Sequence, residues 1–155
     1  MEIKTYELIV NNVTRHTSLQ VKESFCYERE EYTSPTMVAK LMRDIFKLHE
    51  QADEFVYMLA FNTKMWLLGI FEISHGTGNA SLLDARGVFM RALQIGANQI
   101  MLVHNHPSGK PVPSQEDLLI NERIKNAGNL LGIPLIDHVI IGGENYVSFS
   151  EEKIM

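Results

Sequence analysis

Apolar positions along this chain fall into blocks whose spacing switches between two and three-to-four, the pattern of strands and helices sharing a core. Residues 3–10 mix Ile and Val with polar residues at a period near two and predict a first strand. The polar stretch that follows, to about Tyr32, carries no such rhythm and is expected to be a loop or an irregular edge segment. Ser34-Pro35 pairs an N-cap residue with Pro at the first helical position, and Val38, Leu41, Met42, Ile45 and Leu48 recur at helical spacing, predicting a helix over 35–50. Phe55–Phe61 and Met65–Ile73 are strand-like runs around the turn-forming Asn62-Thr63-Lys64 and predict a hairpin. A loop at Gly76-Thr77-Gly78-Asn79 leads to a second amphipathic helix through Val88, Phe89, Ala92, Leu93 and Ile95, closed by Gly96. Ile100–His104 returns as a strand, and Pro107–Pro113 is a loop. Ser114 opens a third helix through Leu118, Ile120, Ile124 and Leu131, closed by Gly132. Ile133–Ile141 is a buried strand, and Gly142-Gly143-Glu144-Asn145 turns it into an edge partner at Tyr146–Phe149. The order β-α-β-β-α-β-α-β-β predicts a mixed sheet covered by helices, an α/β domain.

Bulk properties narrow the classes. At 155 residues the chain has the length of one domain, long enough to bury about two-thirds of its unfolded surface. A composition 45% hydrophobic and 21% charged is that of a soluble globular protein, and no segment reaches the roughly 20 uninterrupted apolar residues of a membrane span. The start, Met1-Glu2-Ile3-Lys4, lacks the basic and apolar regions of a signal peptide, and the lone Cys26 has no internal partner, so a cytoplasmic location is expected. A net charge of −5 gives no support to a phosphate-binding surface. The densest cations, Arg123 and Lys125, are diluted by Glu122 and read as a solvated helix face.

The chemistry is concentrated in one place. His104 and His106 end a strand, where residues two apart project to one face and present their ring nitrogens to one point. Pro107 and Gly109 stop the strand, and the helix opened by Ser114 carries Asp117 in its first turn as a third, anionic ligand. Two imidazoles and a carboxylate leave a fourth tetrahedral position for water, the arrangement of a hydrolytic rather than a structural zinc. Simpler readings stand beside this one. Ser114 to Asp117 is also a capping box, and His-x-His on a strand is a weak signal alone. The His104-Asn105-His106 spelling lacks the longer ββα unit of HNH nucleases. A zinc deaminase needs His-x-Glu with Pro-Cys-x-x-Cys, and His-Glu-x-x-His is absent.

His104-x-His106, seven residues, then Ser114-x-x-Asp117 resembles the signature of the JAMM (JAB/MPN) metallopeptidases. The fuller string His104-Asn-His-Pro-Ser-Gly, Pro113-Ser114, Asp117 and Gly132-Ile-Pro-Leu-Ile-Asp-His138 resembles their RadC-like branch, over roughly residues 34–155. That resemblance implies a cytidine-deaminase-like three-layer α/β/α fold with a mixed central sheet, a core at 34–155 preceded by an N-terminal extension or edge strand at 1–33, and one Zn²⁺ held by His104, His106 and Asp117. It further implies Ser114 as support for the oxyanion or the metal-bound water, and a catalytic Glu at the start of the strand after the first helix, here Glu54. A carboxylate there suits a general base that takes a proton from water and passes it to the leaving amine. Asp53 and Glu50 are its confusable neighbours. His138, with Asp137, reads as a partner of a ligand, a substrate contact or a core histidine bonded to backbone. His16, His49 and His75 read as surface residues.

Two departures limit the resemblance. Where RadC-like chains read close to His-Pro-Arg-Glu-Val-Phe, this one has Asp84-Ala85-Arg86-Gly87-Val88-Phe89, keeping the Arg without the Glu. The helix-hairpin-helix-like N-terminal region of full-length RadC proteins has no counterpart in the sequence, so DNA binding through it is not carried over. The expectation is a zinc-dependent peptidase or isopeptidase acting on a polypeptide. The alternatives are a DNA-repair or mobile-element accessory protein with a structural or inactive metal, and a hydrolase of non-peptide amides at the same site. The sequence does not specify an oligomeric state.

Overall fold

The computed structural model describes residues 2–28, 32, 34–76 and 83–155. Seven strands form one mixed sheet, β1 (Glu2–Val10), β2 (Thr17–Cys26), β3 (Glu54–Phe61), β4 (Leu67–Gly76), β5 (Gln99–Asn105), β6 (Leu135–Gly142) and β7 (Asn145–Ser148), in the spatial order β2-β1-β4-β3-β5-β6-β7. Three helices cover it: α1 (Pro35–Phe46), α2 (Ala85–Gln94) and α3 (Gln115–Leu131). Alternation along the strands sorts the apolar residues to two faces. On β5, Met101 and Val103 join Val38, Leu41 and Met42 of α1 in one core, while Ile100 and Leu102 join Val88 and Phe89 of α2 and Ile124 of α3 in the other. The result is the expected three-layer α/β/α architecture.

The helix ends follow their local sequence. Ser34 accepts from the Met37 N–H and Pro35 occupies the first turn of α1. The helix stops at Phe46 rather than near residue 50, because Lys47 takes the left-handed conformation at φ 50° and Leu48–Glu50 form a separate 3-10 turn. Asp84 caps α2 through the Arg86 and Gly87 N–H groups, and Gly96 follows its end at φ 72°. The expected turn at 76–79 lies outside the described residues beyond Gly76.

The polar stretch after residue 10, expected as a loop or an irregular edge segment, turns at 11–16 and then forms the ten-residue β2, paired antiparallel with β1 from Glu2↔Cys26 to Val10↔Thr17. β2 is an edge strand of the sheet. Most of its residues are exposed, so no buried face imposed an apolar alternation on its sequence. Among the described residues no helix is long and apolar enough to cross a membrane.

Two close approaches seat the elements on either side of the His-x-His segment's strand: α3 and the loop after β5. Gly128 lets α3 settle on the chain leaving it: a Cβ there would lie 2.5 Å from the Ile133 carbonyl oxygen. Gly142, ending β6, lets the loop after β5 cross over it, where a Cβ would meet Pro111 N at 2.6 Å. That crossing sets the Lys110 carbonyl beside the histidines.

Candidate metal centre

β5 and β6 run parallel and α3 is the crossover between them, so the end of β5 faces the start of α3. The His106 N–H bonds to the Ile141 carbonyl at 2.8 Å, extending this pairing one residue past β5. Side-chain alternation then carries His104 and His106 to the face covered by α3. There they meet Asp117, buried in the first turn of that helix. His104 Nε2 lies 3.0 Å from His106 Nε2 and 3.1 Å from Asp117 Oδ1, and His106 Nε2 lies 3.4 Å from Asp117 Oδ2. Ligand atoms bound tetrahedrally at about 2.0–2.1 Å from one ion are about 3.3 Å apart, and each of these separations is close to that value, with a different Asp117 oxygen nearest each histidine. The group is able to hold a metal ion.

The outer nitrogens fix what the inner ones offer. His106 Nδ1–H donates to the Lys110 carbonyl at 2.9 Å, which leaves Nε2 with its lone pair pointed inward. His104 Nδ1 lies 2.9 Å from His138 Nε2. With its proton on Nδ1, His104 likewise turns a lone pair towards Asp117. Three electron-rich groups then converge on a site where His104 and Asp117 are almost wholly buried, and a cation or a shared proton must lie among them. Electrostatics agree. Burial raises the Asp117 carboxyl, but hydrogen bonds with His104, His106 and Ser114 outweigh it and hold Asp117 well below the usual carboxylate range. The Asp117 carboxylate, accepting from the protonated His106 ring, raises His106 against the opposing effect of burial, with the Lys110 carbonyl and the charges of Asp117 and Glu54 adding to it.

Ser114 completes a capping box. Its Oγ accepts from the Asp117 N–H at 3.1 Å, its hydroxyl and its own N–H each donate to Asp117 Oδ2 at 2.7 Å, and Asp117 Oδ1 faces His104 while Oδ2 also lies near His106. The capping reading of this segment is borne out, and the cap leaves Asp117 beside both histidines, an arrangement compatible with a metal site. An acid in the first turn is also favoured by the partial positive charge of the helix end.

Glu54 begins β3, two residues before Val56, which pairs with His104; alternation carries it to the histidine face. The residue between the histidines secures it. Asn105, 1% exposed, accepts from the Phe55 N–H at 2.8 Å and donates to the Asp53 carbonyl at 3.0 Å, bracketing Glu54 on both sides. Asp53 itself pairs with the exposed His75 at 3.4 Å, and Glu50 with His49 at 3.3 Å. The Coulombic influence of Glu54 on His106 is consistent with its position at the mouth of the site. His16 and His75 are exposed as expected, but His49 is half-buried, because its 3-10 turn packs under β5 and β6.

The His138 ring meets neither backbone acceptor nor donor among the described residues; its Nε2 lies against Nδ1 of His104, one of the candidate ligands. Asp137 is a strut instead, accepting from the His138 and Ser150 N–H groups and the Ser148 hydroxyl. Lys110, Asn105 and the His104–His138 contact are not legible as partners in the sequence; the one local signal was an amide flanked by two histidines at a strand end.

Residues 32–154 match the model of a family described as the RadC-like JAB domain. A UPF0758 protein of Thermotoga maritima is 41% identical over 123 residues, 79% of this chain and 54% of the relative. One from Clostridium beijerinckii is 38% identical over 123 residues, 79% of this chain and 53% of its own. One from Methanosarcina mazei is 40% identical over 131 residues, 84% of this chain and 56% of its own. The chain thus spans about half the length of the curated relatives it matches.

Proposed function

The chain belongs to the RadC-like JAB domain family, and from that premise we propose that it is a zinc-dependent peptidase or isopeptidase working at His104, His106 and Asp117. The observation that carries this reading is the convergence of two inward imidazole nitrogens and a strongly ionised carboxylate, mutually 3.0–3.4 Å apart, beside a carboxylate at the site mouth. Zinc suits two nitrogens and one oxygen, and when bound it supplies a Lewis acid for a carbonyl and lowers the pKa of a water towards ~7.

The protein groups divide the remaining work. Glu54 takes the proton of the attacking water and delivers it to the leaving amine, a transfer that suits a half-exposed carboxylate pinned by Asn105. The Ser114 hydroxyl, given to Asp117 in this structure, turns towards the oxyanion once the charge of Asp117 is engaged elsewhere. His106, with 17% of its side chain exposed, marks the side from which an amide bond enters, while His104 and Asp117 form the closed back of the site.

The test is cleavage of a proteome-derived peptide library and of isopeptide-linked peptides by zinc-loaded protein, read as new N-termini by mass spectrometry. Cleavage that stops with chelator and returns with zinc is expected. Glu54→Gln should keep its zinc and lose about 10²–10⁴-fold in rate. Undiminished cleavage by that variant rejects the role of Glu54, and no cleavage of any peptide or isopeptide rejects the peptidase reading.

A further inference from the structure

One imidazole beside the ligands has no part in the proposed chemistry. His138 sits level with Leu102 across the β5–β6 pair, and so on the same face as His104. The two rings are each 2% exposed, and His104 Nδ1 is 2.9 Å from His138 Nε2. Phe149 lies against the His138 ring, with centroids 4.6 Å apart. His138 Nδ1 is buried and finds no hydrogen-bond partner among the described residues.

Only one tautomer pair serves a metal. If His138 donates from Nε2, His104 accepts at Nδ1, its own proton moves to Nε2, and that proton points at His106 and Asp117 where the ion must sit. If His104 donates from Nδ1, its Nε2 lone pair faces the site, and the proton of His138 is driven onto the partnerless Nδ1. The two ligands differ in this respect. His106 is held by a backbone carbonyl, which only accepts, whereas His104 is held by a ring that can act either way. We propose that His138 is the positioning residue that keeps His104 in its Nδ1–H form, and that the unpaired Nδ1–H of His138 is the stability lost in doing so. A leucine of similar bulk would avoid that loss but leave His104 Nδ1 without an acceptor.

This inference rests on the metal-site reading, and the test separates the two. Zn²⁺ affinity is measured by chelator competition for the wild type, His138→Leu and His138→Gln, together with urea melts of the metal-free proteins. His138→Leu should be as stable as the wild type or more so, yet bind zinc about 10–100-fold more weakly. His138→Gln, which restores an acceptor, should recover most of the affinity, and Co²⁺ spectra should follow the same order. Wild-type affinity in His138→Leu overturns this inference alone; absence of zinc binding by the wild type overturns the metal-site reading and this inference with it. ¹⁵N NMR of the zinc-loaded wild type provides a check that needs no variant. A proton on Nδ1 of both rings supports the assignment, and a proton on His138 Nε2 overturns it.

Discussion

His106 holds its proton more tightly than an ordinary histidine, because the Asp117 carboxylate accepts from the Nε2–H of its protonated form, at the nitrogen that a metal would use. The sign follows directly. A raised pKa means that protons compete for Nε2 from above the usual value near 6.5, so zinc affinity falls on acidification, and starts to fall before pH 6.5 is reached. At pH values below the raised pKa the fall should approach tenfold per pH unit for one displaced proton. Competition titrations at a series of pH values measure it, and a flat profile across that range contradicts the pairing. At this scale, the candidate ligand group was legible because its relations are local: two residues along a strand for His104 and His106, three along a helix start for Ser114 and Asp117. Asn105 was not, and His138 only as one of three readings, because their partners lie about 50 and 34 residues away and are set by strand register.

α3 carries a ligand at its start and a close contact near its end, so the helix links the stability of the domain to the geometry of the site. Ser114→Ala removes the cap from the Asp117 N–H and is expected to cost about 1 kcal/mol. It also removes the hydroxyl bond that steadies Asp117 Oδ2, so zinc affinity should fall as well. Gly128→Ala drives a Cβ against the Ile133 carbonyl and the Phe89 ring, and overpacking there should cost about 1–3 kcal/mol. Urea denaturation of the metal-free variants measures both, and wild-type stability in Gly128→Ala contradicts the packing described. Most elements could be read from the sequence because one face of each is buried. β2 could not. Of its Thr17–Cys26 residues only Leu19 and Phe25 are half-buried, and backbone pairing with β1 holds the strand, which leaves little hydrophobic record.

For the molecule as a whole, the mixed sheet with α1 on one face and α2 and α3 on the other puts a β-strand C-terminus and a helix N-terminus at one point, and the ligand group occupies it. A mixed sheet covered by helices was legible from the alternation of helical and strand periods, and its three layers from the family resemblance. The order β2-β1-β4-β3-β5-β6-β7 was not, since a period of two records which face is buried and not which strand lies alongside. A metal bound only by the folded chain stabilises it, by about 2.7 kcal/mol at a hundredfold excess over Kd. The melting temperature should therefore rise on adding zinc to chelator-treated protein and stay unchanged in Asp117→Ala. The most direct measurement of the central claim is zinc content per chain, by elemental analysis after chelation and reloading. The wild type and Glu54→Gln should each hold one zinc, and His104→Ala and Asp117→Ala should hold almost none. The same sub-stoichiometric content in all four proteins would contradict a metal centre built from His104, His106 and Asp117.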